Sequence, residues 1–443
     1  MPIPSLDKIG ASDPVPDASE VVVVGGGIAG VTAALFLAEA GVQVSLFEKG
    51  QIAAEQSSRN WGWVRQMGRD AAEVPLAIES LALWRGIDRH FSIDTGFRET
   101  GITYVCRTPR EIKEFSSWAE TAAKSGVPTQ IIEGSALARL LPGIHGSYRM
   151  ALHTANDGRA EPGQAVPAMA RAARRLGARI VENCAVRGIE TSAGRVSSVV
   201  TERGTVRTSQ VVLAGGVWSR LFLGNVGVDF PQLRILGTAA RVDGVEGVPD
   251  MPVGGGDLAF RRRLDGGYTV ALRNANVAPI TPDSFRLFFD FLPTLVRSWR
   301  ELKLRVGGQF VTELRMPRSW SLDQTTPFEE IRVLDPVPHE PFNRQSLIRL
   351  RQAFAAFETA RITHSWAGMI DATPDAIPVI GAVEAVPGLF LSAGYSGHGF
   401  GLGPGGGRLM SEIVRGVTPC VDPTPFRLSR FGRAKLVVAG AAA

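Results

Sequence analysis

Cysteine and histidine are scarce, with three of the first (Cys106, Cys184 and Cys420) and six of the second among 443 residues. The cysteines lie far apart and form no Cys-x-x-Cys pair, which excludes a disulfide framework as the source of stability. No His-x-x-x-His pattern is present either, so no structural or catalytic metal site is expected. A strong charge of one sign is also missing, since 48 basic against 43 acidic residues leave +5. The basic residues are scattered apart from Arg261-Arg262-Arg263, expected to be a solvated loop, and no aromatic and basic stripe accompanies them. A nucleic-acid partner is therefore not expected. The stretch from Met1 to Asp17 lacks the basic start and apolar core of a signal peptide. With reduced thiols, this points to a cytoplasmic protein. An apolar share of 44% leaves little room for disorder, and the length argues for two domains or more.

One long uncharged run exists, Val21 to Ala38, and its internal punctuation excludes a membrane span. Val21 to Val24 is a short β-branched strand, Gly25-Gly26-Gly27 breaks it, and Ile28 to Ala40 reads as a helix ended by Gly41. Gln43 to Phe47 is a second apolar strand, and uniform apolarity of this kind is what a parallel sheet covered on both faces requires.

Glycine is abundant, at 50 residues, and much of it is clustered. Gly25-x-Gly27-x-x-Gly30 follows the first strand directly, and Glu48 ends the second strand eighteen residues after Gly30. The first glycine permits the tight turn, the second lets backbone approach a pyrophosphate, and the third lets the helix lie close to the strand. The N–H groups of Ile28 and Ala29 then open a helix whose positive end faces the phosphates, and Glu48, followed by Lys49, would accept the hydroxyl hydrogens of an adenosine ribose. Gly401 to Gly406 satisfies the same glycine spacing without the following strand and acid. NAD and FAD share the fingerprint. No second complete nucleotide unit fits in the chain and no cysteine pair could relay electrons, so one bound dinucleotide is expected to react with the substrate itself.

Three further stretches carry a resemblance. They are Gln56-Ser57-Ser58-Arg59-Asn60-Trp61-Gly62, a polar loop, then Val211 to Ser219, a strand with a glycine turn, and finally Thr373-Pro374-Asp375 with Gly388 to Phe400. In this order, over residues 20 to 430, the chain resembles the FAD-dependent D-amino-acid oxidase superfamily of amino-acid and amine oxidases and dehydrogenases. The resemblance implies an α/β fold, a Rossmann-type FAD-binding domain interleaved with an α+β substrate domain on a mainly antiparallel sheet. The expected flavin-binding pieces are 1–95, 151–235 and 346–430, the substrate-binding pieces 96–150 and 236–345, and the C-terminal tail 431–443, frayed over Val437 to Ala443. It further implies that Ser57, Ser58, Arg59, Asn60 and Trp61 hold the flavin's phosphate and ribityl region, that Val186 meets the adenine, and that Gly215 and Trp218 flank the pyrophosphate. Gly394, Gly397, His398, Gly399, Phe400, Gly401 and Leu402 belong to the loop beneath the flavin ring, ahead of a helix expected over Pro404 to Arg415.

The reaction so implied is hydride loss from the carbon beside a neutral amine to flavin N5, giving an imine that water hydrolyses. An α-amino acid, L or D, is the expected substrate and O2 the expected acceptor, with H2O2 as product and a quinone or electron carrier as the alternative. The chain departs from the family pattern at three points. Gly368 stands where sarcosine oxidases tether the flavin through cysteine, so FAD is expected to be dissociable. Ile370 stands where many glycine and D-amino-acid oxidases place a carboxylate-binding arginine, and Ala271 near an oxygen-activating lysine. Arg65 is then the leading carboxylate anchor and Arg273 a second candidate. Asp371 either draws in a cationic amine or caps a turn. Trp366, Trp63 and Tyr395 are expected to wall the pocket. Oxidation of secondary amines or polyamines at Asp371, a 2-hydroxy-acid dehydrogenase using His398 as base, and a partner-dependent flavin subunit are the alternatives.

Overall fold

The computed structural model describes residues 4–432 except 274, 300 and 301. The tail expected at Val437 to Ala443 lies outside the described residues. Val21–Val24 pairs in parallel with Val44–Phe47 on one side and Gln210–Leu213 on the other, placing the first glycine loop at the centre of a sheet. The sheet runs on through Arg179–Val181 at one edge and Leu389–Ala393 and Val379–Ala382 at the other, six strands in all. Only the last pair is antiparallel. Helix Ile28–Glu39 lies on one face, between helices Pro162–Arg175 and Gly399–Arg415. Its buried side chains run all round it because sheet and helices enclose it, which explains a sequence with no polar stripe. The other face carries an antiparallel meander, Val186–Ser192, Arg195–Thr201 and Gly204–Arg207, whose Val186, Ile189, Val199 and Val206 pack on Val22, Phe47 and Val211.

Two glycines are fixed by geometry. Gly25 has a φ of +111°, and a Cβ there would lie 2.4 Å from the Ala214 carbonyl oxygen. A Cβ on Gly30 would lie 2.0 Å from the Gly25 carbonyl oxygen, so only glycine lets the helix start this close to the strand.

The second sheet has ten strands and is mainly antiparallel, in agreement with the expected fold class. Its spine is the pair Leu233–Asp243 and Arg361–Ala372, antiparallel along their whole length with one irregularity. Arg361–Ala372 falls in a segment expected to bind flavin, yet its ladder partner is Leu233–Asp243 of this sheet, and the chain returns to the six-stranded sheet only at Val379–Ala382. Ala259–Arg262 and Tyr268–Ala271 form an antiparallel hairpin beside it. The Arg261-Arg262-Arg263 triplet is no solvated loop. Arg261 is 1% exposed and makes a bidentate ion pair with Glu161 at 2.6 and 3.0 Å, the partner that a charge count cannot reveal.

Among the described residues, no helix is long and apolar enough to cross a membrane. Residues 282–315 carry a string of short helices with many exposed apolar side chains, Phe289 (83%) and Val306 (78%) foremost.

Candidate active site

A cavity of about 450 Å³ opens where the strand ends of the six-stranded sheet meet the second sheet. Gly25, Gly27, Ile28 and Ala29 line it, as do Glu48, Lys49, Ser57, Arg59, Asn60 and Trp61. Val186, Gly215 and Trp218 complete that part of the wall, and Gly397, His398, Gly399, Phe400 and Gly401 another. The expected cofactor residues thus converge from five separate stretches of chain. Four do not reach the cavity surface. Gly30 serves the helix–strand contact described above, Ser58 turns back to the Glu55 carbonyl, and Leu402, on helix Gly399–Arg415, is buried in the core shared with helix Ile28–Glu39. Gly394 donates its N–H to Asp371 instead.

Local hydrogen bonds shape the phosphate end. Ser57 lies on a short helix, Gln56–Arg59, rather than a loop, and its Oγ accepts the Ile28 N–H at 2.8 Å. Glu48 accepts the Gly26 and Gly50 N–H groups at 2.7 and 2.8 Å, and burial raises its pKa above the ordinary value. Glu55, which sequence reasoning passed over, gathers Lys49 Nζ at 2.6 Å, Trp218 Nε1 at 3.0 Å and the Leu334 N–H at 2.9 Å. Lys49 therefore also sits 4.7 Å from the Trp218 ring centre, and Arg234 4.8 Å from it. Arg59 is ion-paired to Asp335 at 2.5 Å and donates to the Ala367 carbonyl, but its Nη2 is buried and without a partner.

Helix Gly399–Arg415 starts five residues before Pro404, so its first turn reaches the cavity itself. Ser80 Oγ and Trp84 Nε1 both donate to the Gly401 carbonyl and hold that turn in place. The positive end of the helix is directed at the site.

The substrate side is built differently from expectation at two points. Trp366 does not reach the cavity: its Nε1 donates to the Arg59 carbonyl at 2.9 Å, and its ring is buried with Ala239, its cross-strand partner, and Ala271, further along the strand than the cavity-lining Gly368 and Ile370. Tyr395 borders the cavity, but its hydroxyl hydrogen-bonds Ser392 at 2.9 Å beneath helix Gly399–Arg415, and burial raises its pKa. Asp371 lines the cavity while accepting the Gly394 N–H at 2.7 Å, and burial pushes its carboxyl up to about 6. It caps the turn, one of the two roles anticipated.

Trp61 and Trp63 are both cavity walls, edge to face at 5.4 Å. Arg65 and Arg273 also line the cavity, with guanidinium carbons 5.7 and 4.2 Å from the centre of the Tyr104 ring. Arg69 and Tyr104 had escaped sequence reasoning. Arg69 is 4% exposed, its Nη1 is buried without a partner, and burial with the neighbouring Arg65 charge pushes its pKa down to about 9. Its spacing of four from Arg65 is the one signal the sequence held. His398 places Nδ1 3.1 Å from both oxygens of Glu73, which is fully buried. Burial and the nearby Arg69 charge hold His398 neutral, so it donates its Nδ1 hydrogen to an ionised Glu73.

The glycine strip, the free Nη2 of Arg59 and the Glu48 carboxylate fit an adenine dinucleotide, and the helix terminus at Gly399 fits the ring of its flavin. None of the three cysteines lines the cavity. Among solved structures, the L-amino acid deaminase of Proteus myxofaciens in complex with anthranilate is 35% identical, with a TM-score of 0.92 over 96% of this chain and 97% of that one. The L-amino acid deaminase of Proteus vulgaris is 33% identical, with a TM-score of 0.91 over 96% and 100%. The 4-methylaminobutanoate oxidase (formaldehyde-forming) of Paenarthrobacter nicotinovorans is 26% identical over 95% of this chain and 46% of its own length. The chain spans about half the length of the first curated relatives it matches. A family model, FAD dependent oxidoreductase (DAO), matches residues 20–413, and the chain belongs to that family.

Proposed function

We propose that the protein oxidises the C–N bond of an L-α-amino acid, giving an imino acid that water converts to the keto acid. The observation that carries this reading is the set of guanidinium groups, Arg65, Arg69 and Arg273, lining the cavity around Tyr104. A planar fork of N–H donors suits a carboxylate better than any other anchor available there. The identity of 33–35% with the Proteus L-amino acid deaminases supports the L enantiomer.

Acceptance of the hydride from the α-carbon is the chemistry that FAD supplies when bound. Arg65 and Arg273 hold and orient the carboxylate, which fixes where the α-carbon can lie. Trp61 and Trp63 exclude water from that carbon. His398, its Nδ1 hydrogen committed to Glu73, keeps an Nε2 lone pair that can accept a hydrogen bond from a neutral amine. Asp371 is a poor anchor for a cationic polyamine, because one of its oxygens already accepts the Gly394 N–H and holds the turn. Cytoplasmic location, non-covalent FAD and reoxidation by O2 are part of the same reading, a quinone or electron carrier being the other acceptor.

The test is anaerobic mixing of purified holoprotein with L-amino acids, D-amino acids, N-methyl amino acids, polyamines and 2-hydroxy acids. Bleaching of the oxidised flavin by L-amino acids, weakened by Arg65→Ala, is expected. Bleaching by polyamines alone would overturn the reading. Readmission of air with and without H2O2 formation separates the two acceptors.

A further inference from the structure

The guanidinium groups of the cavity outnumber what one α-carboxylate needs. A single carboxylate has two oxygens and is satisfied by one bidentate arginine or by two arginines sharing it. Arg65 and Arg273 face the same Tyr104 ring and are suited to share it. Arg69 is then left over. It lines the same cavity, it is more than nine-tenths buried, and its Nη1 has no hydrogen-bond partner. Its Nε lies 3.5 Å from the Arg65 carbonyl oxygen, which accounts for one edge of the group only.

The neighbouring carboxylates do not supply the missing partner. Glu73 is committed to the Nδ1 hydrogen of His398. Asp157 accepts the backbone N–H groups of Gln66 and Met67 at 2.8 and 3.2 Å. Arg65 spends one nitrogen on the Met67 carbonyl. Among the described residues, none of the three arginines is ion-paired to a carboxylate within 4 Å. A buried cation with an unsatisfied donor is costly, and it is kept where an incoming anion will meet it.

We propose that the substrate bears two acid groups, the α-carboxylate held between Arg65 and Arg273 and the second carboxylate held by Arg69. The inference rests on the amino-acid reading above and names its substrate class. The second acid can belong to the side chain, as in L-glutamate or L-aspartate, or to a substituent on nitrogen, as in an N-(carboxyalkyl) amino acid. Both present the same two anions. Trp61 and Trp63 then bound the carbon chain between them instead of selecting an aromatic side chain.

Two measurements on the holoprotein test it. In the first, binding of glutarate and of butanoate, neither of which can be oxidised at a C–N bond, is measured by perturbation of the flavin spectrum or by calorimetry. Glutarate is expected to bind at least tenfold tighter, and Arg69→Met to cut that ratio to near one, with Arg69→Lys restoring part of it. A ratio near one in the parent protein, or a ratio that Arg69→Met leaves intact, overturns the proposal. Loss of the folded flavin spectrum in Arg69→Met shifts the decision to Arg69→Lys and to the parent ratio.

In the second, anaerobic flavin bleaching is compared for L-norvaline, L-glutamate, L-aspartate and N-(carboxymethyl)glycine. Faster reduction by a diacid at low concentration supports the proposal, and whether an amino diacid or the N-substituted one reduces the flavin identifies where the second acid sits. Faster reduction by L-norvaline overturns it. Bleaching by none of them counts against the amino-acid reading, while the glutarate ratio, read without turnover, still decides the role of Arg69.

Discussion

Asp371 shows how one residue's environment sets its role. Its carboxyl is pushed up from 3.8 to about 6 by burial, so the folded chain keeps a proton that the unfolded chain has already lost. Stability contributed by that site therefore falls as pH rises from about 4 to about 6 and stays flat above, a cost at neutral pH of about 3 kcal/mol. Asp371→Asn keeps an oxygen for the Gly394 N–H and removes the ionisation. It is expected to stabilise the FAD-saturated protein by about 1 kcal/mol at neutral pH, the gain shrinking as pH is lowered through 6 toward 4. Denaturant unfolding across that range checks it, and a gain independent of pH would show that ionisation is not the cause. Residues of this kind were only half legible. Asp371 could be named from its position, but the choice between anchor and cap depends on Gly394, 23 residues away, which a single sequence does not place beside it. Arg69 was illegible for the same reason, since an arginine four residues from another reads equally as a solvated face.

Elements were more legible than their ends. The strand, glycine turn, helix and strand of residues 21–47 fall where punctuation and apolar runs put them, because local geometry alone dictates the turn. Gly30→Ala tests that geometry: a Cβ at 2.0 Å from a backbone oxygen must push helix from strand, and a loss of about 1–3 kcal/mol is expected. Thermal unfolding and the FAD retained after gel filtration should both drop. Helix Gly399–Arg415 was anticipated too short because Pro404 looks like a beginning, whereas Ser80 and Trp84 on another helix fix its first turn. Strand Ala259–Arg262 offers a second test at this scale. Arg261 joins Glu161 and also donates to the Trp61 carbonyl at 2.5 Å, so it ties the sheet to the cavity wall. Arg261→Met is expected to cost about 3–5 kcal/mol by stranding a buried Glu161, and the double variant with Glu161→Leu to recover part of that stability. If the single and double variants unfold together, the pair is not what makes Arg261 necessary.

At the scale of the whole molecule, the exposed apolar side chains of residues 285–311 stand apart from a surface that is otherwise mixed. Phe289, Val306, Phe285 and Val296 are each at least two-thirds exposed. Replacing Phe289 and Val296 by serine removes nothing from a core, so stability should change by less than about 0.5 kcal/mol per site. Association on raising salt, followed by light scattering, should decrease, since apolar patches of this kind drive it. Unchanged scattering would place the sticky surface elsewhere. The two-sheet plan itself was visible in the order of motifs. The length of the central ladder was not, because neither Leu233–Asp243 nor Arg361–Ala372 carries a turn signal that marks its partner. That ladder has a further consequence. Gly237 and Thr238 on one strand, and Gly368, Ile370 and Asp371 on the other, are both paired to each other's strand and part of the cavity wall. This stretch of wall cannot part without unzipping the spine of the second sheet, so it keeps its shape while small molecules come and go past the side chains and loops that border it.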